Sequence, residues 1–133
     1  MTGYNPSGEA IEWGKGDINR IYRLCLHHDR IQSERDSIHG KESKRKRYKL
    51  RRCMLRRCMQ KIRNLVDECH RKFARWLCEN HHVVLLPEFK TKDMVKRGFR
   101  KIHSKTARQM MTWSHYRFRQ YLLHKFRKYP HLH

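Results

Sequence analysis

The longest uninterrupted apolar run in the chain is Val83–Leu86, which is followed by Pro87 and Glu88. A short run rich in valine and leucine predicts a strand that is buried on both faces. Because proline has no backbone N–H, sheet pairing should stop at Pro87 and leave Glu88 at the carboxyl end of the strand. Ligands bind at that end in open α/β sheets. We therefore predict a central strand over residues 83–89 with Glu88 as a candidate site residue; the alternative is a solvated carboxylate.

The residues before this run show a turn pattern and then two helical stripes. Asn5–Gly8 is a turn cluster with apolar residues on both sides, which predicts a β-hairpin over residues 1–16. Asp17 is a favourable N-cap for a first helix, and a second helix should end near Asn80. Two helices joined by a short basic loop predict an antiparallel helical hairpin over residues 17–80. The stripe of the second helix consists of Leu55, Cys58, Ile62, Leu65, Cys69 and Trp76, with Phe73 and Leu77 flanking it.

A last helix is predicted over residues 104–125, with Ser104 as its N-cap. Three aromatic residues in it, Trp113, His115 and Tyr116, are candidates for stacking on nucleotide bases. Aromatic side chains at helical spacing are more often core, and we favour that interpretation. Hairpin, helical pair, strand and helix together predict a mixed α/β fold. The inner stripe of the last helix is predicted to be Ala107, Met110, Met111, Ser114, Phe118, Tyr121 and Leu122.

Charge adds a functional expectation to this pattern. The chain has 133 residues with 33 Lys+Arg against 12 Asp+Glu, a formal net charge of +21. Self-repulsion on this scale opposes a compact state unless a polyanion neutralises it. Nucleic acid is the favoured partner because neutralised phosphates release counterions, and an anionic membrane surface is the competitor. No run approaches the ~20 apolar residues of a membrane span, and we expect a nuclear or cytoplasmic protein.

The positive charge is densest between residues 41 and 57. Clusters of this density typically contact the phosphate backbone without selecting a base sequence. The alternatives are a solvated linker, a nuclear localisation signal, and a calmodulin-target or membrane-surface helix. The predicted nucleic-acid-binding residues are Lys44, Arg45, Lys46, Arg47, Lys49, Arg51, Arg52, Arg56 and Arg57.

The cysteines and histidines offer no predicted site. The five cysteines are an odd number and contain no C-x-x-C pair, so we expect reduced, half-buried thiols and no zinc centre. The pairs His27-His28 and His81-His82 lack metal-ligand spacing to a second pair.

Four blocks of sequence resemble the RuvC-like nuclease core of the transposon-encoded OrfB/TnpB proteins, most closely their eukaryotic and giant-virus relatives, the Fanzor proteins. The blocks are Thr2–Gly8, Gly14–Ile18, Leu85–Met94 and Ser104–Phe118. The resemblance implies an incomplete ribonuclease-H-like (RuvC) core with the helical hairpin as an insertion, and RNA-guided DNA cleavage with DNA and guide RNA as partners. In that family three carboxylates hold two Mg²⁺ ions around the phosphodiester. Glu88 falls on the second of these positions, which makes it the implied catalytic residue and metal ligand.

The resemblance also implies that the chain is a fragment of a transposase-like nuclease. The family's first carboxylate precedes the hairpin and its third follows a zinc element, so neither falls within this sequence, and Asp67 and Asp93 are not credible replacements. A single carboxylate binds Mg²⁺ weakly. We therefore expect no bound Mg²⁺ and no cleavage by this chain alone, unless the remainder of a split nuclease completes the site. The alternative is a small basic, non-enzymatic RNA- or DNA-binding protein of ribosomal or chromatin type.

Overall fold

The computed structural model describes residues 1–40, 43–88, 90–98 and 101–131. The described chain is mostly helical, with one small antiparallel sheet. It divides into two compact units, one formed by Met1–Trp13 with Val66–His133 and the other by Gly14–Leu65. The elements in chain order are β1 (Thr2–Tyr4), β2 (Ala10–Glu12), α1 (Lys15–Asp36), α2 (Ser43–Lys49), a π-helical segment (Leu50–Leu55), α3 (Arg56–Asn80), α4 (Thr91–Val95), α5 (Ser104–Trp113) and α6 (His115–Phe126).

The predicted amino-terminal hairpin is present as β1 and β2. Gly3 lies opposite Ile11 in an antiparallel register. The turn is closed by the Gly8 N–H, which donates to the Asn5 carbonyl at 2.9 Å. Gly8 has a φ of 88°, a left-handed conformation that glycine adopts without a steric penalty. The turn chemistry favours the hairpin, and Met1 and Trp13 at its two ends pack against the helical core.

Within the unit Gly14–Leu65, α1 runs antiparallel to the helical stretch that begins at Ser43. Ile31, in the second half of α1, packs with Leu50 and Leu55. Earlier in α1, the Leu24 carbonyl accepts a hydrogen bond from Cys58 Sγ at 3.5 Å. The later residue of α1, Ile31, thus meets the earlier part of the second stretch, and the earlier residue, Leu24, meets its later part. This order of contacts defines an antiparallel pair.

The π-helical segment has a clear role in this packing. Leu50 and Leu55 are five residues apart, which in an α-helix would separate them by about 140° around the axis. Hydrogen bonds from residue i to i+5 bring residues with that spacing onto one face instead. Both leucines are consequently buried, with relative exposures of 7% and 6%.

The predicted N-caps are both wrong. Helix α1 starts at Lys15 after Gly14, whose φ is 79°, so Asp17 lies in the first turn rather than at the cap. A carboxylate there still interacts favourably with the helix dipole. Helix α5 is capped by His103, whose Nδ1 accepts from the Lys105 N–H at 3.3 Å, and Ser104 is already helical.

The single helix predicted over residues 104–125 is also wrong, because it breaks at Ser114. This residue has φ 55° and ψ 59°, a left-handed conformation that ends α5 and precedes α6. The break changes the buried face: Met111 is 54% exposed, whereas Trp113, placed off the predicted stripe, is 4% exposed. Ala107, Phe118 and Leu122 are buried as predicted.

The core of the unit that contains both termini joins α3 to α6. Phe73 stacks on Phe118, with ring centroids 5.4 Å apart. Trp13, which follows the hairpin, also stacks on Phe73, with ring centroids 5.3 Å apart. Phe73 and Leu77, which the sequence predicts to flank the α3 stripe, are therefore buried members of this cluster. The buried members of the cluster are Phe73, Ala74, Leu77, Cys78, Phe118 and Leu122.

The predicted central strand over residues 83–89 is not present. Residues 83–88 have no regular structure, and Phe89 lies outside the described residues. Among the described residues the sheet contains β1 and β2 alone, so this run has no strand beside it. Val83 and Leu85 are 59% and 89% exposed rather than buried. An apolar run forms a buried strand only if neighbouring strands satisfy its backbone groups, and here the core is made by helices.

Candidate nucleic-acid interface

The nine predicted basic residues lie on the helical stretch that starts at Ser43, and all nine are exposed. Ser43, Leu50 and Leu55 occupy the buried face of that stretch. No acidic residue occurs between Ser43 and Val66, so the positive charge is not neutralised along the stretch itself. We call the nine residues the basic face: Lys44, Arg45, Lys46, Arg47, Lys49, Arg51, Arg52, Arg56 and Arg57.

Part of the basic face lines an open groove of about 590 Å³. Helix α1 contributes one cation to it, and α2 with the π-helical segment contributes the others. Arg47 is oriented by a hydrogen bond from its Nη2 to Ser43 Oγ at 2.9 Å. We call this feature the cationic groove, and it is lined by Arg35, Lys44, Arg47, Tyr48 and Arg51.

Tyr48 is the aromatic residue of the cationic groove. It is 56% exposed although it is surrounded by cations. The Arg52 guanidinium carbon lies 5.5 Å from the centroid of its ring, and Arg52 Nη1 donates a hydrogen bond to the Tyr48 hydroxyl. These two contacts hold the ring in a defined orientation. The groove thus combines guanidinium donors, which suit phosphate oxygens, with an aromatic surface, which suits a base.

Sequence reasoning missed two residues of this groove. Tyr48 is the sole aromatic residue between Ser43 and Arg57, and that interruption of the charge run could have identified it. Arg35 comes from α1 and carries no comparable pattern. It reaches the groove only because the two helices are antiparallel.

Glu88 is exposed and lies in the irregular segment after α3. Asp67 is already engaged by Arg117 from α6, and Asp93 lies in the first turn of α4. Within the described ranges, no three His, Cys, Asp or Glu side chains are placed to hold a metal ion. The catalytic and metal-binding roles of Glu88 therefore remain predictions.

His70 on α3 is buried, with 3% exposure, and has a structural role. Its Nε2–H donates to the Trp113 carbonyl at 2.8 Å, at the residue where α5 ends. Burial is the main cause that lowers the pKa of His70, which favours the neutral imidazole. Burial also lowers the pKa of His115. The Trp113 ring is core, as favoured above, but Tyr116 is 73% exposed.

None of the five cysteines forms a disulfide bond, and Cys53 is the exposed one. Burial raises the pKa of the Cys58 thiol and of the Cys78 thiol, which keeps both protonated and unreactive. They pack as small apolar side chains.

The helices of the described residues are amphipathic or basic, and none is long and apolar enough to cross a membrane. Comparisons with family models, with curated proteins and with solved structures find no match to this chain.

Proposed function

We propose that this protein binds nucleic acid through the basic face. The observation that carries the proposal is the coincidence of an exposed, acid-free helical stretch with the cationic groove. An extended polyanion neutralises such a surface along its length, whereas a compact anion would engage only part of it. Contacts from point charges to phosphates position a backbone without selecting a sequence, so the binding is tolerant of sequence.

The free energy of this binding comes mainly from counterion release. Each phosphate that a cation neutralises contributes about −0.9 to the slope of log K against log salt for duplex DNA, and about −0.7 for single strands. Arg35 is paired with Asp36 at 2.9 Å. The other three cations of the cationic groove, Lys44, Arg47 and Arg51, thus account for a slope of about −2 to −3.

A narrower proposal is that the chain derives from a RuvC-like, Fanzor/TnpB-type nuclease and retains binding without cleavage. The sequence blocks support this proposal, and Glu88 is the position they assign to Mg²⁺. The irregular conformation of Val83–Glu88 counts against it, because the family places that glutamate on a strand. The competing proposal is a basic nucleic-acid-binding protein without catalytic ancestry, which needs no ordered carboxylate.

Binding to labelled DNA and RNA across a salt series tests the main proposal. The test variant replaces Lys44, Arg47 and Arg51 with glutamine. The control variant also replaces three basic residues with glutamine, so it has the same net charge as the test variant. These residues, Arg119, Arg127 and Lys128, are exposed in the other unit.

We expect the groove variant to reduce the salt slope by about two to three and to weaken binding far more than the control. An equal loss in both variants would refute a localised interface, and so would binding that is insensitive to salt.

A Mg²⁺-dependent nuclease assay on single- and double-stranded DNA tests the narrower proposal. We expect no cleavage by wild type or by Glu88→Ala. Cleavage that disappears in Glu88→Ala would overturn the proposal that cleavage has been lost.

A further inference from the structure

We propose that the cationic groove takes a single-stranded nucleic acid and stacks one unpaired base on Tyr48. This inference rests on the proposed function and adds the class of ligand. A duplex-binding basic helix needs only groups that contact phosphates, and the Tyr48 hydroxyl can serve in that way. The exposed face of the ring, however, adds nothing to phosphate contacts and suits a base. Tyr48 is instead 56% exposed at the centre of the charge run.

The positions of the cations fit this mode of binding. Lys44 precedes Tyr48 by four residues and Arg51 follows it by three, and all three line the cationic groove. Along the axis of α2, Lys44 lies about 6 Å from Tyr48. Arg35 of α1 also lines the groove, but its guanidinium is paired with Asp36 at 2.9 Å. A base on the ring would therefore have its flanking phosphates within reach of cations in both directions along the strand.

Arg52 acts as a positioning residue for the ring. Its guanidinium lies over Tyr48 and also donates to the hydroxyl. A ring that is already held loses less conformational entropy when a base stacks on it. Arg52 does not line the groove, so it leaves that part of the site accessible.

Duplexes are excluded from this contact because their bases already stack within the helix. Single strands expose the faces of their bases, and stacking on an aromatic side chain tolerates any base. Removing such a stacking contact typically weakens binding by about five- to 150-fold. Duplex binding should depend on the cations but not on the ring.

Fluorescence anisotropy with three oligonucleotides of equal charge tests this inference. The first is a short single strand, the second has abasic sites in place of its bases, and the third is a duplex with the same number of phosphates. The protein is the full chain, as wild type and with Tyr48→Leu or Tyr48→Phe. Tyr116→Leu is the control, because Tyr116 is also exposed but lies in the other unit.

We expect wild type to bind the single strand at least about fivefold more tightly than its abasic counterpart. Tyr48→Leu should abolish that difference and leave abasic and duplex binding unchanged. Tyr48→Phe keeps the ring and should retain most of the difference, and Tyr116→Leu should retain all of it.

Failure of the stacking inference can be distinguished from failure of the proposed function. If all three oligonucleotides bind with a steep salt dependence and Tyr48→Leu changes nothing, the stacking site is refuted while the proposed function stands. If none of the three binds at low salt, both are refuted. Equal losses for the single strand and its abasic counterpart in Tyr48→Leu would also refute stacking, because they would show a change in the groove itself.

Discussion

His70 provides the sharpest test of how the helices α3, α5 and α6 are held together. Because α5 ends at Trp113, the carbonyl of that residue needs a partner from outside its helix, and His70 Nε2–H supplies one at 2.8 Å. The imidazole also contacts the rings of Trp113 and Phe118, with centroids 5.6 Å and 5.3 Å away. The substitution His70→Leu keeps an apolar side chain in place but removes the donor.

The expected loss follows from these contacts. An unsatisfied buried carbonyl costs about 1–3 kcal/mol. Each aromatic pair contributes about 0.5–1.5 kcal/mol beyond area burial, and leucine replaces only part of that contribution. We therefore expect His70→Leu to lower the free energy of unfolding by about 2–4 kcal/mol. His70→Gln should lose less, because its amide N–H₂ can still donate to the Trp113 carbonyl.

Urea denaturation followed by circular dichroism measures this effect. Asn80→Ala is the matched control: Asn80 Nδ2 also donates to a backbone carbonyl, that of Trp76, at 2.8 Å, but it is exposed. Water replaces the lost partner there, so the control should lose less than about 0.5 kcal/mol. Equal losses in His70→Leu and Asn80→Ala would refute the argument that burial makes the His70 hydrogen bond valuable.

Three further predictions concern pH, backbone strain and packing. Burial lowers the pKa of His70 and of His115, so below about pH 6.5 the unfolded state binds more protons than the folded state. The contribution of these two histidines to stability is therefore fully present above that pH and is lost as the solution is acidified. Urea midpoints measured across pH should show this loss, and His70→Gln should flatten the profile. Ser114→Gly should raise the free energy of unfolding by about 0.5–1 kcal/mol because glycine adopts the left-handed φ without strain, whereas Ser114→Ala should give no increase. An unchanged melting temperature in Ser114→Gly would contradict this prediction. Leu55→Ala should lower the free energy of unfolding by about 2–4 kcal/mol in urea denaturation, whereas Met54→Ala, at the exposed neighbouring position, should lower it by less than about 1 kcal/mol. Similar losses in the two variants would contradict the packing of Leu55 that the π-helical segment provides.

The exposed run Val83–Leu86 shows how the environment decides the conformation of an apolar segment. Its composition favours a strand, but Val83, Leu85 and Leu86 are exposed in the structure, and Val84 is the member of the run that packs against the helical core. Glu88 lies exposed in the irregular segment that continues this run. The nuclease assay with Glu88→Ala, rather than the fold, is therefore the test of any remaining catalytic role.

Features that depend on neighbouring residues were predictable from the sequence. The Asn5–Gly8 turn forms the hairpin, and steps of three and four residues bury Leu55, Cys58 and Ile62 on one side of a helix. The exposure of the basic face follows in the same way, because charged side chains keep their hydration unless paired. These patterns are visible over short stretches of sequence, although the burial of Leu55 also needs Ile31 of α1 as its packing partner.

The remaining features depend on partners that are distant along the chain. Ser114 breaks a helix that local preference would continue, and the freed Trp113 carbonyl is satisfied by His70, 43 residues away. The cationic groove exists because α1 brings Arg35 beside Tyr48. The sequence by itself thus determined where the charge lies and that most of residues 17–80 and 104–125 are helical. Tertiary packing decided which side chains meet, because burial and hydrogen-bond satisfaction depend on partners from other elements.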